Sequence, residues 1–143
     1  MKPTIRRIAA GAAVSAVMLA ALSVPAAAEP NPSGCPKGNF CLWYEGQDKP
    51  FWSSAGNMTE PVGTWNGDTD IRAFNNGNPQ TGVDHVRIYW HYKYFGTPDR
   101  GGETLKVTCL HYNPGPGTYK TTIGTGSSEK VVHIHKAVWG PEC

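Results

Sequence analysis

Apolar and polar positions alternate over short runs of this chain, and no stretch after residue 28 has a helical period. In Val86–His91 the alternation places Val86, Ile88 and Trp90 on one face of a strand. Glycine or proline interrupts the runs every few residues, and the runs are rich in β-branched and aromatic side chains. This combination is typical of all-β proteins. The predicted strands are Phe40–Tyr44, Phe51–Ser53, Ile71–Phe74, His85–His91, Thr104–Leu110, Tyr119–Ile123 and Val131–Val138.

Turn-forming residues separate these strands, and the two halves of the chain resemble each other. The turn signals are Asn66-Gly67-Asp68, Asn75-Asn76-Gly77, Gly101-Gly102 and Asn113-Pro114-Gly115-Pro116-Gly117. Each half opens with an aromatic strand, and each closes with a strand that follows polar residues, at Asp70–Phe74 and at Glu129–Ile134. The pattern predicts two similar four-stranded units that pack as a sandwich of Greek keys.

The first 28 residues follow a different pattern. Basic residues precede the apolar run Ile8–Val24, and Ala26–Ala28 follows it as a small-residue cleavage site. This order predicts a secretory signal peptide over residues 1–28 and therefore a secreted, extracellular protein. Residues 29–34 are rich in Pro and Ser and are predicted to form a flexible N-terminal arm. We expect a single domain over residues 35–143.

The charge of the chain excludes two classes of partner. The predicted signal peptide, residues 1–28, holds three of the 13 basic residues and none of the 11 acidic ones. Residues 29–143 therefore have a formal charge of −1. Nucleic-acid binding needs a basic stripe, which these residues lack. Attack on a membrane needs a cationic face, which is also missing. We expect a monomer with no nucleic-acid partner and, in its mature form, no membrane partner.

All four cysteines lie after the predicted signal peptide, and an even count in an exported chain predicts two disulfides. Four cysteines allow three pairings. We favour Cys35–Cys41, because the two residues are close in sequence, which leaves Cys109–Cys143 to tie the C-terminus to the interior of the chain. Loop-closure entropy gives these bonds stabilities of about 2.4 and about 3.8 kcal/mol. A domain of this size is small enough for both to matter.

Three segments resemble a known family of secreted proteins. Cys35-Pro36-x-Gly38-x-x-Cys41-x-x-Tyr44, Phe74-Asn75-Asn76-Gly77 and Lys106-Val107-Thr108-Cys109-Leu110 are similar to the peptidase-inhibitor family typified by the Streptomyces metalloproteinase inhibitor. The resemblance runs in order over most of Cys35–Gly140. It implies a βγ-crystallin-like sandwich, in agreement with the strand pattern. It also implies inhibition of thermolysin-type zinc proteases by an exposed loop held like a substrate.

The same resemblance selects the Cys109–Leu110 bond as the reactive bond. Thermolysin-like enzymes favour a bulky apolar side chain just after the cleaved bond, and Leu110 would fill that pocket. The expected inhibitory loop comprises Thr108, Cys109, Leu110, His111 and Tyr112. The founding inhibitor closes its loop with a nearby second cysteine, where this chain has Asn113-Pro114-Gly115. The alternative is that Leu110 is a core residue of a strand and that the disulfide is only a structural link.

The aromatic content supports a second functional hypothesis. Exposed rings on a β scaffold stack on sugars, so the chain could instead be a non-inhibitory extracellular module that binds cell-wall or other glycans. The alternative is that these rings form the core and corners of the sandwich. The residues concerned are Trp43, Tyr44, Phe51, Trp52, Trp65, Tyr92 and Tyr94.

The sequence gives less support to a metal site or to a catalytic function. His133-x-His135 is a zinc half-site without a third ligand at motif spacing, so we expect a solvated polar strand face there. Asp68–Ala73 and Ser127–Val132 resemble calcium motifs of βγ-crystallins, but both lack the closing hydroxyl ligands. No nucleophile elbow, His-Glu-x-x-His or phosphate loop is present. We therefore expect no metal, no cofactor and no catalytic activity.

Overall fold

The computed structural model describes residues 34–63, 70–94, 96–97, 104–124 and 130–143. Its regular elements in these ranges are β-strands, and no helix there is long and apolar enough to cross a membrane. The strands are β1 (Phe40–Tyr44), β2 (Trp52–Ser54), β3 (Val62–Gly63), β4 (Ile71–Asn75), β5 (His85–Tyr94), β6 (Lys106–Leu110), β7 (Lys120–Ile123) and β8 (Lys130–Gly140).

The strands form two antiparallel sheets of four strands each. The order is β2-β1-β4-β7 in the first sheet and β3-β8-β5-β6 in the second. Each half of the chain places its third strand in the sheet of the other half, because β3 pairs with β8 and β7 pairs with β4. The all-β prediction is confirmed, and the βγ-crystallin-like Greek key stays a prediction.

The main hydrophobic core lies between the two sheets. It forms because alternate residues of each strand point to the same face, so each sheet has one apolar side. The residues are Phe40, Leu42, Ile71, Ala73 and Ile123 from the first sheet, Val86, Ile88, Trp90, Leu110, Val132, Ile134 and Ala137 from the second, and Met58 from a connection. A smaller cluster of Cys35, Cys41, Trp43 and Phe74 forms separately, with Tyr119 packed against it.

Both predicted disulfides are confirmed. Cys35–Cys41 joins Cα atoms 5.9 Å apart and belongs to the smaller cluster. Cys109–Cys143 joins β6 to the C-terminus, with Cα atoms 6.3 Å apart. Two disulfides are typical of proteins outside the reducing cytosol.

The seven predicted strands are all present, with small changes at their ends, and one strand was not predicted. β3 has only two residues, Val62–Gly63, and its pairing with His133 and Ile134 of β8 defines it. At the turn predicted for Asn75-Asn76-Gly77, Asn75 ends β4 and its Oδ1 accepts a hydrogen bond from Gly77 N at 2.9 Å, which closes an Asx turn, and all three residues are buried. Four predictions lie outside the described residues: the signal peptide, most of the N-terminal arm, and the turns at Asn66-Gly67-Asp68 and Gly101-Gly102.

The long pairing of β5 with β8 contains one irregularity. Tyr89 pairs with Lys136 and Trp90 pairs with Ile134, so His135 is an extra residue with no partner position of its own in β5. Such a β-bulge shifts the alternation of a strand by one. Before it, Ile134 faces the core, and after it, Ala137 does so.

Candidate functional site

β6 is an edge strand of the second sheet. One side of it pairs with β5, and the other side has no strand partner among the described residues. Leu105, just before β6, and Val107 within it expose 49% and 54% of their surface. On the opposite face, Thr108 Oγ1 accepts a hydrogen bond from Trp90 Nε1 at 2.9 Å. The outer edge of β6 therefore has no described strand on its backbone groups, and it presents two apolar side chains to solvent.

The structure places Leu110 in the core. Its side chain is fully buried and packs in the main cluster, opposite Val86 of β5. To enter a protease pocket, it would have to leave the core and take β6 out of the sheet. This corrects the expectation that Leu110 fills such a pocket. The other residues of the expected loop, Thr108, Cys109, His111 and Tyr112, are half-buried.

The chain after β6 forms a closed loop over residues 111–119, which we call the β6–β7 loop. His111 N donates to Thr118 O at 2.8 Å, and Gly115 N donates to Tyr112 O at 2.5 Å. Gly117 has a φ of 117°, and a Cβ there would lie 2.5 Å from the His111 ring, so only glycine fits. The peptide bond between Asn113 and Pro114 is cis. The tip of the loop, residues 116–118, is exposed.

Two buried asparagines, Asn75 and Asn76, form hydrogen bonds with this loop and with the end of β6. Asn75 Nδ2 donates to the carbonyls of Asp84 and Leu110, at 2.8 and 3.2 Å. Asn113 N donates to Asn75 O at 3.0 Å, and Asn113 Nδ2 donates to Asn76 Oδ1 at 3.3 Å. The Asn-Asn pair thus works as a clamp as well as a turn. Its signal in the sequence is the resemblance of Phe74-Asn75-Asn76-Gly77 to the inhibitor family, which does not reveal what the amides contact.

A chain of three titratable side chains fixes the start of the loop. Asp84 Oδ1 lies 2.7 Å from His85 Nδ1, and His85 Nε2 lies 2.8 Å from His111 Nδ1. Burial alone would raise the pKa of Asp84, but hydrogen bonds from Gln80 N and His85, with the charge of His85, lower it below its ordinary value. The carboxylate is therefore ionised and accepts the proton of His85 Nδ1. This bond orients the His85 ring toward His111.

A second group of histidines lies on the second sheet. His91 of β5 joins His133 and His135 of β8, and one ring nitrogen of each lies within 4.8 Å of the others. His91 is buried and the other two are half-buried, which corrects the expectation of a solvated face. The third member could not be found from spacing, because strand pairing brings it there. These side chains could hold a metal ion.

The aromatic residues mostly pack inside the protein. Trp43 is buried, and Tyr44 stacks on Phe51 with ring centroids 4.1 Å apart. Phe51, Trp52 and Tyr92 pack against the main core. Tyr94 is the one member of the predicted set that is exposed among the described residues, and Trp65 lies outside them. The described rings therefore do not form a platform for sugars.

Comparison with known proteins identifies the family. A model of peptidase inhibitor family I36 matches residues 28–100, just over half of the 143-residue chain. The matched segment contains β1 to β5 and ends before β6, so the edge strand and the β6–β7 loop lie beyond it. No curated protein and no solved structure matched. The chain belongs to peptidase inhibitor family I36, a family of non-enzymatic proteins.

Proposed function

We propose that the protein is a secreted inhibitor of thermolysin-type metalloproteases and binds them through the outer edge of β6 and the β6–β7 loop. Membership of the family supports protease inhibition in general. The protease class and the contact surface are our own inference, as is a single inhibitory domain over residues 35–143. The alternative, a glycan-binding module, has less support because the described aromatic rings pack inward.

The outer edge of β6, which pairs with no strand in the described part of the chain, is the observation that carries the proposal. Proteins often bind an extended segment by adding it to the edge of a sheet, with backbone hydrogen bonds giving affinity and side chains giving specificity. β6 is already extended, so a protease cleft would have little disorder to remove on binding it.

The surroundings of β6 also keep it rigid. The strand pairs with β5 along its whole length, and the Cys109–Cys143 disulfide ties it to the C-terminus. The buried Asn75 clamp then fixes the carbonyl of Leu110 and the β6–β7 loop beyond it. When the protease cuts a peptide bond in this segment, the rigid surroundings hold the two new chain ends together. The cleaved inhibitor therefore stays bound and is not released as product.

The side chains that enter the protease are Leu105 and Val107 in this proposal. Both are bulky and apolar, as the pocket of a thermolysin-like enzyme requires, and both are about half-exposed. Leu110 is buried. Thr108, His111 and Tyr112 of the expected loop remain as flanking contacts. The inhibitory surface therefore begins several residues earlier than the resemblance implies.

Inhibition assays with two proteases test the proposal. We expect purified protein to inhibit thermolysin and to leave the serine protease subtilisin active. Leu105→Ser and Val107→Ser should each weaken inhibition by about 30-fold, the effect of losing a residue worth about 2 kcal/mol. Val83→Ser is the matched control, since Val83 is also an exposed valine and lies outside β6 and the loop.

Three results would contradict the proposal. The first is inhibition of thermolysin that both β6 variants retain in full, and the second is equal inhibition of both proteases. The third is retention of the protein on chitin or peptidoglycan without inhibition of either enzyme, which would favour the glycan-binding alternative.

A further inference from the structure

We propose that His91, His133 and His135 bind one late first-row transition-metal ion, with Zn²⁺ as the best-fitting ion. The site is separate from the edge of β6, because it uses β5 and β8 in the interior of the second sheet. It does not depend on the proposed mode of inhibition.

Strand pairing and the β-bulge bring the three side chains together. His91 and His133 are partners in the β5–β8 register, so their side chains project from the same place on the sheet. His135 is the bulge residue, and bulges re-aim the side chains they carry. The ring centroid of His91 lies 5.3 Å from that of His133 and 4.6 Å from that of His135. The site therefore rests on two paired strands rather than on a loop.

The nitrogen atoms are close to the separation that a metal ion requires. With Zn–N bonds of about 2.0–2.1 Å and tetrahedral angles, ligand nitrogens lie about 3.3 Å apart. His91 Nδ1 and His135 Nε2 are 2.5 Å apart and form a hydrogen bond. An ion that replaces this hydrogen bond needs the two nitrogens to separate by about 0.8 Å. The third nitrogen, on His133, lies within 4.8 Å of the other two, so it has at most about 1.5 Å to close.

The ligand set selects the class of ion. Three imidazole nitrogens suit Zn²⁺, Cu²⁺ and Ni²⁺, whereas Ca²⁺ and Mg²⁺ prefer oxygen ligands. Among the described residues, no carboxylate or thiolate joins the cluster. Three protein ligands leave the fourth tetrahedral position to water or to an external ligand.

Two residues beside the cluster, Gly63 of β3 and Lys136 of β8, are compatible with a bound ion. Gly63 pairs with His133, and a Cβ on it would lie 3.0 Å from His133 Cδ2, so the ring packs directly on the β3 backbone. Lys136 follows His135, but its Nζ lies 4.6 Å from the ring centroid of Tyr89. The ammonium charge is therefore turned toward an aromatic face.

Zinc titration of the purified protein tests the site. The protein must carry no polyhistidine tag, and calorimetry in a buffer that does not chelate metals should give one Zn²⁺ per chain. His133→Gln and His135→Gln should each weaken binding by at least about 100-fold, because loss of a direct ligand exceeds loss of an outer-shell partner. Lys136→Gln controls for a change on the same strand, and His111→Gln controls for histidine in the other network. Both should bind zinc like the unaltered protein.

Measurements on the unaltered protein keep the test decisive if a variant does not fold. Excess Zn²⁺ at a hundred times the Kd should raise Tm by about 10 °C, and EDTA should reverse the rise. Co²⁺ should give the visible bands of a tetrahedral nitrogen site, whereas Ca²⁺ should have no effect. In NMR spectra, Zn²⁺ should shift the ring signals of three of the five histidines.

Absence of zinc binding to the folded protein would overturn the proposal. So would full zinc binding by His135→Gln, or loss of binding in His111→Gln, which would place the ion in the other histidine network.

Discussion

Lys37 donates a hydrogen bond from Nζ to the backbone carbonyl oxygen of Asn113, 2.6 Å away. The same Nζ donates to the carbonyl of Gly77 at 2.9 Å. Lys37 lies between the cysteines of the Cys35–Cys41 disulfide, so one side chain connects this small ring to the β6–β7 loop. The disulfide ring and the loop therefore form one rigid unit.

Replacing Lys37 should loosen the loop without unfolding the protein. We expect Lys37→Met, which keeps most of the aliphatic stem, to lower the free energy of unfolding by about 1 kcal/mol through lost hydrogen bonds. Inhibition of thermolysin should weaken by several-fold to tenfold if the loop contributes to binding. Urea denaturation and inhibition constants measure the two effects. The control is Lys49→Met, at an exposed position in another connection, and equal behaviour of the two variants would contradict this role.

Asn75 is expected to be one of the most sensitive polar positions. Asn75→Ala leaves the carbonyls of Asp84 and Leu110 without their donor in a fully buried place. An unsatisfied buried group costs about 1–3 kcal/mol, so the free energy of unfolding should fall by about 2–4 kcal/mol. Chemical denaturation gives the value. The exposed residue Asn78 provides the matched control, and similar losses in both variants would show that the clamp is unimportant.

Leu110 should matter for stability and not for contact with a protease. Leu110→Ala is expected to lower the free energy of unfolding by about 2–5 kcal/mol, because it leaves a cavity in the main core. Val107→Ala, at an exposed position of the same strand, should change it by about 0.5 kcal/mol or less. Inhibition constants of both variants, corrected for the fraction of each that is folded, show which substitution weakens binding to the protease. A stable Leu110→Ala variant that no longer inhibits would restore the reactive-bond hypothesis.

Asp84 should make the protein sensitive to acid. Its pKa in the folded state lies below the ordinary value of 3.8, so the stability that its carboxylate adds is complete above that pH. This stability is lost as the pH falls through the lowered pKa. We expect Asp84→Asn to have a lower Tm than the unaltered protein at neutral pH and a smaller further loss between pH 4 and pH 2. Thermal unfolding across pH measures both curves, with Asp48→Asn at an exposed position as control. Parallel curves for Asp84→Asn and the unaltered protein would contradict this.

The sequence predicted most strands because their alternation is local. β1, β4 and β5 carry apolar residues on the core face at every second position, and this pattern needs no knowledge of partners. β3 could not be predicted, since two residues have no period and their strand geometry comes from pairing with β8. The local disulfide could be chosen from sequence distance, and the second pair then followed by elimination.

The candidate site was harder to predict because both faces of its strand carry an apolar residue. In Lys106–Leu110, Val107 lies on one face and Leu110 on the other, so alternation does not select which of the two is buried. The structure turns Thr108 toward the Trp90 indole and keeps Leu110 in the core. The histidine cluster could not be predicted for another reason. Its third member, His91, meets His133 through the pairing of β5 with β8, and only the folded sheet defines that register.

The extra residue at His135 also limits how the C-terminal strand can change in length. Because the strand holds one residue more there than regular pairing needs, removal of one residue between Ile134 and Ala137 would restore plain alternation and leave Ala137 and Trp139 on the core face. Removal of one residue elsewhere in the pairing of β5 with β8 would reverse the faces of every residue beyond it. We therefore expect the C-terminal strand to tolerate the loss of a single residue at this place and not at other places along the pairing.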